Sequence, residues 1–116
     1  MGKLTTHVLD TALGRPAAGV EIVLYRVTPE LQELGRDYTN VDGRLDNPIL
    51  EGDAFAPGVY ELVFQAGTYF RTLNLDIPEP PFVDEVVLRF GIADAGQHYH
   101  VPLLVSPWAY STYRGS

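Results

Sequence analysis

Apolar and polar residues alternate with a period of two through most of this chain, and turn residues break the alternation at short intervals. That is the signature of half-buried β-strands, whose successive side chains point to opposite faces. The stretch 3–10, "KLTTHVLD", predicts a strand with Leu4, Thr6 and Val8 on one face and Thr5, His7 and Leu9 on the other. A Gly-, Pro- and Ala-rich loop at 11–19 leads to a second strand at 20–27, with Val20, Ile22 and Leu24 inward. Residues 28–35 would suit a helical turn, but 36–40 is β-prone, and a strand is predicted over 31–41. The Asp42-Gly43 pair is the hairpin signal that closes it.

Further strands are predicted at 58–66, 83–90, 98–106 and 109–115. Pro102 inside the strand 98–106 predicts an edge position or a bulge, because proline cannot donate to a ladder. The stretch 67–82 is the least regular; a short helix begins near Tyr69, and Pro78, Pro80 and Pro81 end any element there. Trp108 and Tyr110 are read as covering the sandwich. Seven or eight short strands with at most one short helix predict an all-β class, an antiparallel β-sandwich. There is no internal repeat or linker, and 1–116 is read as a single domain.

Composition narrows the function more than the fold. The net charge of −7 argues against nucleic acid and against anionic membrane surfaces as partners. No apolar run approaches the ~20 residues that span a bilayer, and the N-terminus lacks the apolar core of a leader. A cytoplasmic location is expected, or a periplasmic one if a leader has been removed. Without cysteine there is no thiol nucleophile, and any metal site would need His, Asp or Glu.

The three histidines draw attention. His98 and His100 stand at i and i+2 on one strand face, opposite Tyr99, Val101, Leu103 and Val105. They read either as solvated surface residues or as a pair for metal or acid–base chemistry. Taken alone, His7 reads more readily as a hydrogen-bonded structural histidine than as a catalyst, and Arg44 as a solvated surface charge. No phosphate loop, nucleophile elbow or paired-carboxylate spacing is present.

Three longer segments join these scattered residues: "LTTHVLDTALGRPAAGVEIVLYR" (4–26), "TNVDGR" (39–44) and "HYHVPLLVSPWAYSTYRGS" (98–116). Through them the whole chain resembles the 5-hydroxyisourate hydrolases, the transthyretin-related enzymes of urate breakdown. The resemblance implies a transthyretin-like sandwich of two four-stranded sheets, assembled as a homotetramer with sites at the dimer–dimer interface. It implies hydrolysis of 5-hydroxyisourate to 2-oxo-4-hydroxy-4-carboxy-5-ureidoimidazoline, with no cofactor and no metal. By motif match the catalytic residues fall on His7, Arg44 and His100. His98 would line the pocket, and the tail Tyr113, Arg114, Gly115 and Ser116 would close it. The rival is a transthyretin-like carrier of a small hormone, which would want an apolar channel in place of these polar groups.

Overall fold

The computed structural model describes residues 2–115; Met1 and Ser116 lie outside them. The described residues form two four-stranded sheets facing each other across one core. In chain order the strands are β1 (Leu4–Asp10), β2 (Arg15–Pro16), β3 (Glu21–Arg26), β4 (Gln32–Tyr38), β5 (Gly58–Gln65), β6 (Glu85–Ile92), β7 (Tyr99–Val105) and β8 (Tyr110–Thr112). One sheet has the order β2-β1-β7-β8 and the other β4-β3-β5-β6. This is the transthyretin-like sandwich. Among the described residues, no helix is long and apolar enough to cross a membrane.

The alternation read from the sequence carries into the packing. Along β1, Leu4, Thr6, Val8 and Asp10 are buried while Thr5, His7 and Leu9 are only half covered. From the facing sheet, Ile22 and Leu24 of β3 and Tyr60, Leu62 and Phe64 of β5 are fully buried against them. Each such side chain contributes roughly 1.5–3 kcal/mol of transfer free energy, and the polar positions are left on the outside.

Four expectations are corrected. The sheets are not wholly antiparallel: β1 and β7 run parallel over seven residues, from Leu4 opposite Tyr99 to Asp10 opposite Val105. Pro102 is neither on an edge nor in a bulge, since β7 lies between β1 and β8. The reason is direction. Tyr99 donates its N–H to Lys3 on the β1 side, whereas the His100 carbonyl accepts from Gly115 on the other. Pro102 has the parity of His100, so its missing N–H faces the tail side. There, regular pairing begins only at Leu103 opposite Thr112.

The Asp42-Gly43 turn is not a hairpin within one sheet. It carries the chain from β4 in one sheet to Arg44, which bridges antiparallel to His7 in the other. Trp108 and Tyr110 do not cover the sandwich; they are 58% and 50% exposed. The short helix exists as α1 (Ala66–Arg71), starting three residues before Tyr69. It brings Tyr69 to a contact the pattern did not signal, in which the Tyr69 hydroxyl donates to Asp10 Oδ2 at 2.7 Å. The other Asp10 oxygen accepts the N–H groups of Ala12 and Leu13, so a buried carboxylate is fully satisfied.

Candidate active site

The outer face of the β1–β7 pair builds the site. In the parallel register Thr5 stands beside His100 and His7 beside Pro102, all on the face away from the core. His7 and His100 are thus diagonal neighbours on adjacent strands, about 8 Å apart at the backbone given ordinary strand spacing and rise.

His7 is held from one side. Its Nε2 lies 2.8 Å from the Asp42 carbonyl. A carbonyl can only accept, so Nε2 carries a proton and the neutral ring keeps its lone pair on Nδ1. The turn that supplies this carbonyl is organised by Asn40. The Asn40 side-chain oxygen accepts from the N–H groups of Asp42 and Arg44, and its amide donates to Asp46. Gly43 is in the left-handed region at φ +75°, and a Cβ there would run into the Val8 carbonyl. Both conditions demand glycine. The Gly43 carbonyl in turn accepts from Val8, fastening the turn to β1 and fixing Arg44 opposite His7.

His100 is held from two sides. Its Nδ1 is 2.9 Å from the Thr5 hydroxyl. Gly115, bridged to His100 through its N–H, packs against the ring so tightly that a Cβ would stand 2.7 Å from Cδ2. Partial burial lowers the His100 pKa below the ordinary imidazole value, and the nearby charges of Arg44 and His7 lower it further. That coupling reflects how close the three groups stand. Burial and these neighbours thus favour the neutral ring.

Beside this cluster lies a cavity of about 250 Å³ lined by Thr5, Thr6, Arg44, Leu45, Asp46, Asn47 and Pro48. One ring that can take a proton, a second imidazole and an exposed guanidinium, next to a small polar cavity, suit acid–base attack on a planar, carbonyl-bearing molecule. Among the described residues, no group of three or more His, Asp or Glu is placed to hold a metal ion.

The remaining predicted residues divide. Gly115 joins His100. Arg114 turns to the opposite side of the sheet: its guanidinium lies 3.9 Å from the centre of the inward-facing Tyr99 ring and donates to Gln97 Oε1 and the His98 carbonyl. Tyr113 and Arg114 line a separate cavity of about 390 Å³ between β6 and the end of β8. His98 precedes β7 with an exposed side chain, and among the described residues that side chain has no hydrogen bond to the cluster. Ser116 lies outside the described residues. Sequence reading missed Thr5 and Asn40. An Asx-turn pattern in Asn40-Val41-Asp42-Gly43 was a signal for the second; the first follows only from strand register.

A protein from Rhizobium meliloti (strain 1021) named 5-hydroxyisourate hydrolase 2 is 62% identical over 116 residues, covering 99% of this chain and 97% of the relative. The crystal structure of an (S)-allantoin synthase superposes with a TM-score of 0.95 at 49% identity; the match covers 99% of this chain and 44% of that longer protein. Transthyretin from Sparus aurata has the same fold, with a TM-score of 0.87 at 24% identity, covering 99% of this chain and 97% of that one. A sequence profile described as the HIUase/Transthyretin family matches residues 4–115, and on the strength of that match and of these relatives the chain belongs to the HIUase/Transthyretin family.

Proposed function

We propose that this protein hydrolyses 5-hydroxyisourate to 2-oxo-4-hydroxy-4-carboxy-5-ureidoimidazoline, as a step of urate breakdown, with His7, Arg44 and His100 as its catalytic residues. The carrying observation is that one sheet face brings two imidazoles and a guanidinium together, where burial and the neighbouring groups favour the neutral form of His100. The name of the Rhizobium relative supports the substrate. Neutral His100 takes a proton from water as the oxygen attacks a ring carbonyl carbon. The negative charge that develops on the carbonyl oxygen is met by Arg44, whose fork suits a planar, electron-rich molecule. The ring C–N bond then breaks, and an imidazolium returns the proton to the departing nitrogen. His7, with its Nδ1 side free, is the second imidazole for that exchange. No metal or cofactor enters the scheme.

The tail would close the site, with Arg114 anchoring it on the 97–98 loop so that Gly115 rests on His100; Ser116 belongs to the same proposal as a substrate-binding residue, and His98 would stand at the rim. A homotetramer with the sites at its dimer–dimer interface belongs to the same proposal. The site face is open, and the edge strands β6 and β8 are flanked by Val87, Tyr110 and Tyr113, all about half exposed or more. A sedimentation mass near the 12.8 kDa of one chain would overturn the assembly. The carrier alternative wants an apolar lining, and His7, Arg44 and His100 oppose it; the shared fold favours neither.

The test is the absorbance decay of freshly made 5-hydroxyisourate with and without the protein. Acceleration over the spontaneous reaction is expected. An unchanged decay would remove the enzyme reading.

A further inference from the structure

Two threonines stand side by side on β1, and their hydroxyls have different fates. Thr6 is buried and donates to the Val101 carbonyl at 2.7 Å, a contact internal to the sheet. Thr5 points to the other face and meets His100 Nδ1 at 2.9 Å. The seven-residue parallel ladder sets Thr5 beside His100, and a slip of β1 by one residue would turn Thr5 to the core face and away from the ring. Threonine is stiff at χ1, so the hydroxyl is a fixed partner where a longer side chain would not be.

The ring is therefore gripped on two edges, Nδ1 by Thr5 and the Cδ2–Cγ edge by Gly115. The corner left over is Cε1–Nε2. We propose that Thr5 is a positioning residue that accepts the Nδ1 proton of His100 and so leaves the lone pair on Nε2, the nitrogen that faces water and substrate. A neutral imidazole has one N–H and one lone pair. If the Thr5 hydroxyl donated to Nδ1, the proton would sit on Nε2 and the open corner would have no base. Among the described residues the acceptor lone pairs of Thr5 have no other claimant. The Thr5 proton remains available to the cavity that Thr5 lines with Arg44 and Asn47.

This assignment deepens the hydrolase reading and rests on it for its catalytic consequence. It also makes the two histidines complementary: the Asp42 carbonyl holds the proton of His7 on Nε2, and Thr5 holds that of His100 on Nδ1. The charged and titratable groups facing His100 are His7 from β1 and Arg44 from the turn after β4; Thr5 and the Gly115 backbone are uncharged.

The first measurement needs neither substrate nor variant. Imidazole ¹⁵N chemical shifts of the resting protein above the His100 titration should show Nδ1 protonated and Nε2 bare. A protonated Nε2 would overturn the proposal. Thr5→Val keeps the shape and loses the acceptor. It should shift His100 toward the other tautomer and lower kcat on the order of 10-fold, with KM little changed, and Thr5→Ser should restore both. Wild-type tautomer and kcat retained in Thr5→Val would also overturn it, and a Thr5→Val chain that does not fold leaves the wild-type spectrum and Thr5→Ser to decide. If wild-type protein shows the expected tautomer but no turnover, the hydrolase reading fails and the assignment of Thr5 to His100 stands.

Discussion

Gly115 is in contact with the imidazole of His100: a Cβ at Gly115 would lie 2.7 Å from Cδ2, 3.3 Å from Cγ and 3.4 Å from Cβ of the histidine. Here glycine is needed for approach and not for an unusual backbone, since Gly115 is not among the residues with positive φ. The tail is thus a wall of the ring's own pocket. Gly115→Ala must either push the ring off Nδ1···Thr5 or lift the tail off β7. Turnover should fall by about 100-fold, the scale of a misplacement near 1 Å, while the melting temperature shifts only a few degrees because no core side chain is touched. Steady-state kinetics beside a thermal melt would check this, and normal kcat would mean that the ring is free to move.

The His100 pKa is lowered by burial first, then by Arg44 and by His7. The base form therefore persists below the ordinary imidazole value of about 6.5, and the acid limb of the pH–rate profile should lie below it. In Arg44→Gln one of the causes is gone, so the limb should move up toward 6.5 as the rate falls. The stability sign follows from the same shift. Between the two pKa values the unfolded chain binds more protons, so this group's contribution is lost as pH falls from about 6.5 through the folded value. A pH–rate series on both proteins, with an NMR titration of His100, tests it; an acid limb that does not move would exclude the charge coupling.

What could be read in the sequence was what is local. The alternation of β1, β5 and β7 is a period-two signal, and burial of Val8, Leu62 and Leu103 follows it. Pro102 misled because the rule concerns a missing donor, and only the three-dimensional neighbours tell which side that donor would face. Asp42-Gly43 misled because a turn dipeptide does not say which strand comes next. The chain crosses from one sheet to the other at this turn, and Arg44 then pairs with His7, 37 positions earlier in the chain. His7, Arg44 and His100 were named through motifs, but Thr5 and Asn40 act by register and by side-chain capping, which residue types alone do not reveal. The tail looked like one unit, and the sheet divides it between its two faces.

Asn40 makes a stability and an activity prediction together. Its side chain bonds the N–H groups of Asp42 and Arg44 at 2.9 and 3.1 Å and Asp46 at 2.9 Å. Asn40→Ala loses all three, at a net cost of about 1 kcal/mol each or less, since the turn is solvated. The Asp42 carbonyl and the Arg44 backbone lose their support, so kcat/KM should fall by roughly 10- to 100-fold. Asn40→Asp keeps the acceptor and should recover much of the turn, but it sets a carboxylate beside Asp46. If Asn40→Ala melted early with kcat/KM intact, the turn would matter to folding and not to the site.

The last prediction concerns Asp10 and Tyr69, which tie α1 to the end of β1. Both are almost fully buried, and Asp10 is satisfied by the Tyr69 hydroxyl and two backbone N–H groups. Burial raises the Tyr69 pKa to about 12, with the hydrogen bond and charge of Asp10 adding to it. Asp10→Asn keeps an oxygen for the two N–H groups and can donate to the tyrosine oxygen, so it should cost little. Asp10→Ala strands three polar groups. The buried Tyr69 hydroxyl left unpaired costs about 1–3 kcal/mol, and the N–H groups of Ala12 and Leu13, in a part-buried turn, cost less each, so a loss of about 2–4 kcal/mol is expected, a large share of the stability of a domain of this size. Tyr69→Phe leaves one carboxylate oxygen unpaired and should fall between the two. The alkaline limb gives an independent sign. The unfolded tyrosine ionises near 10 and the folded one near 12, so the folded state holds the proton between those values. Stability should therefore decline as pH rises through that window, and less steeply in Tyr69→Phe. Urea melts of the four proteins from pH 7 to 11 would measure both effects. Equal losses for Asp10→Asn and Asp10→Ala would show that the charge and not the hydrogen-bond network holds the helix in place.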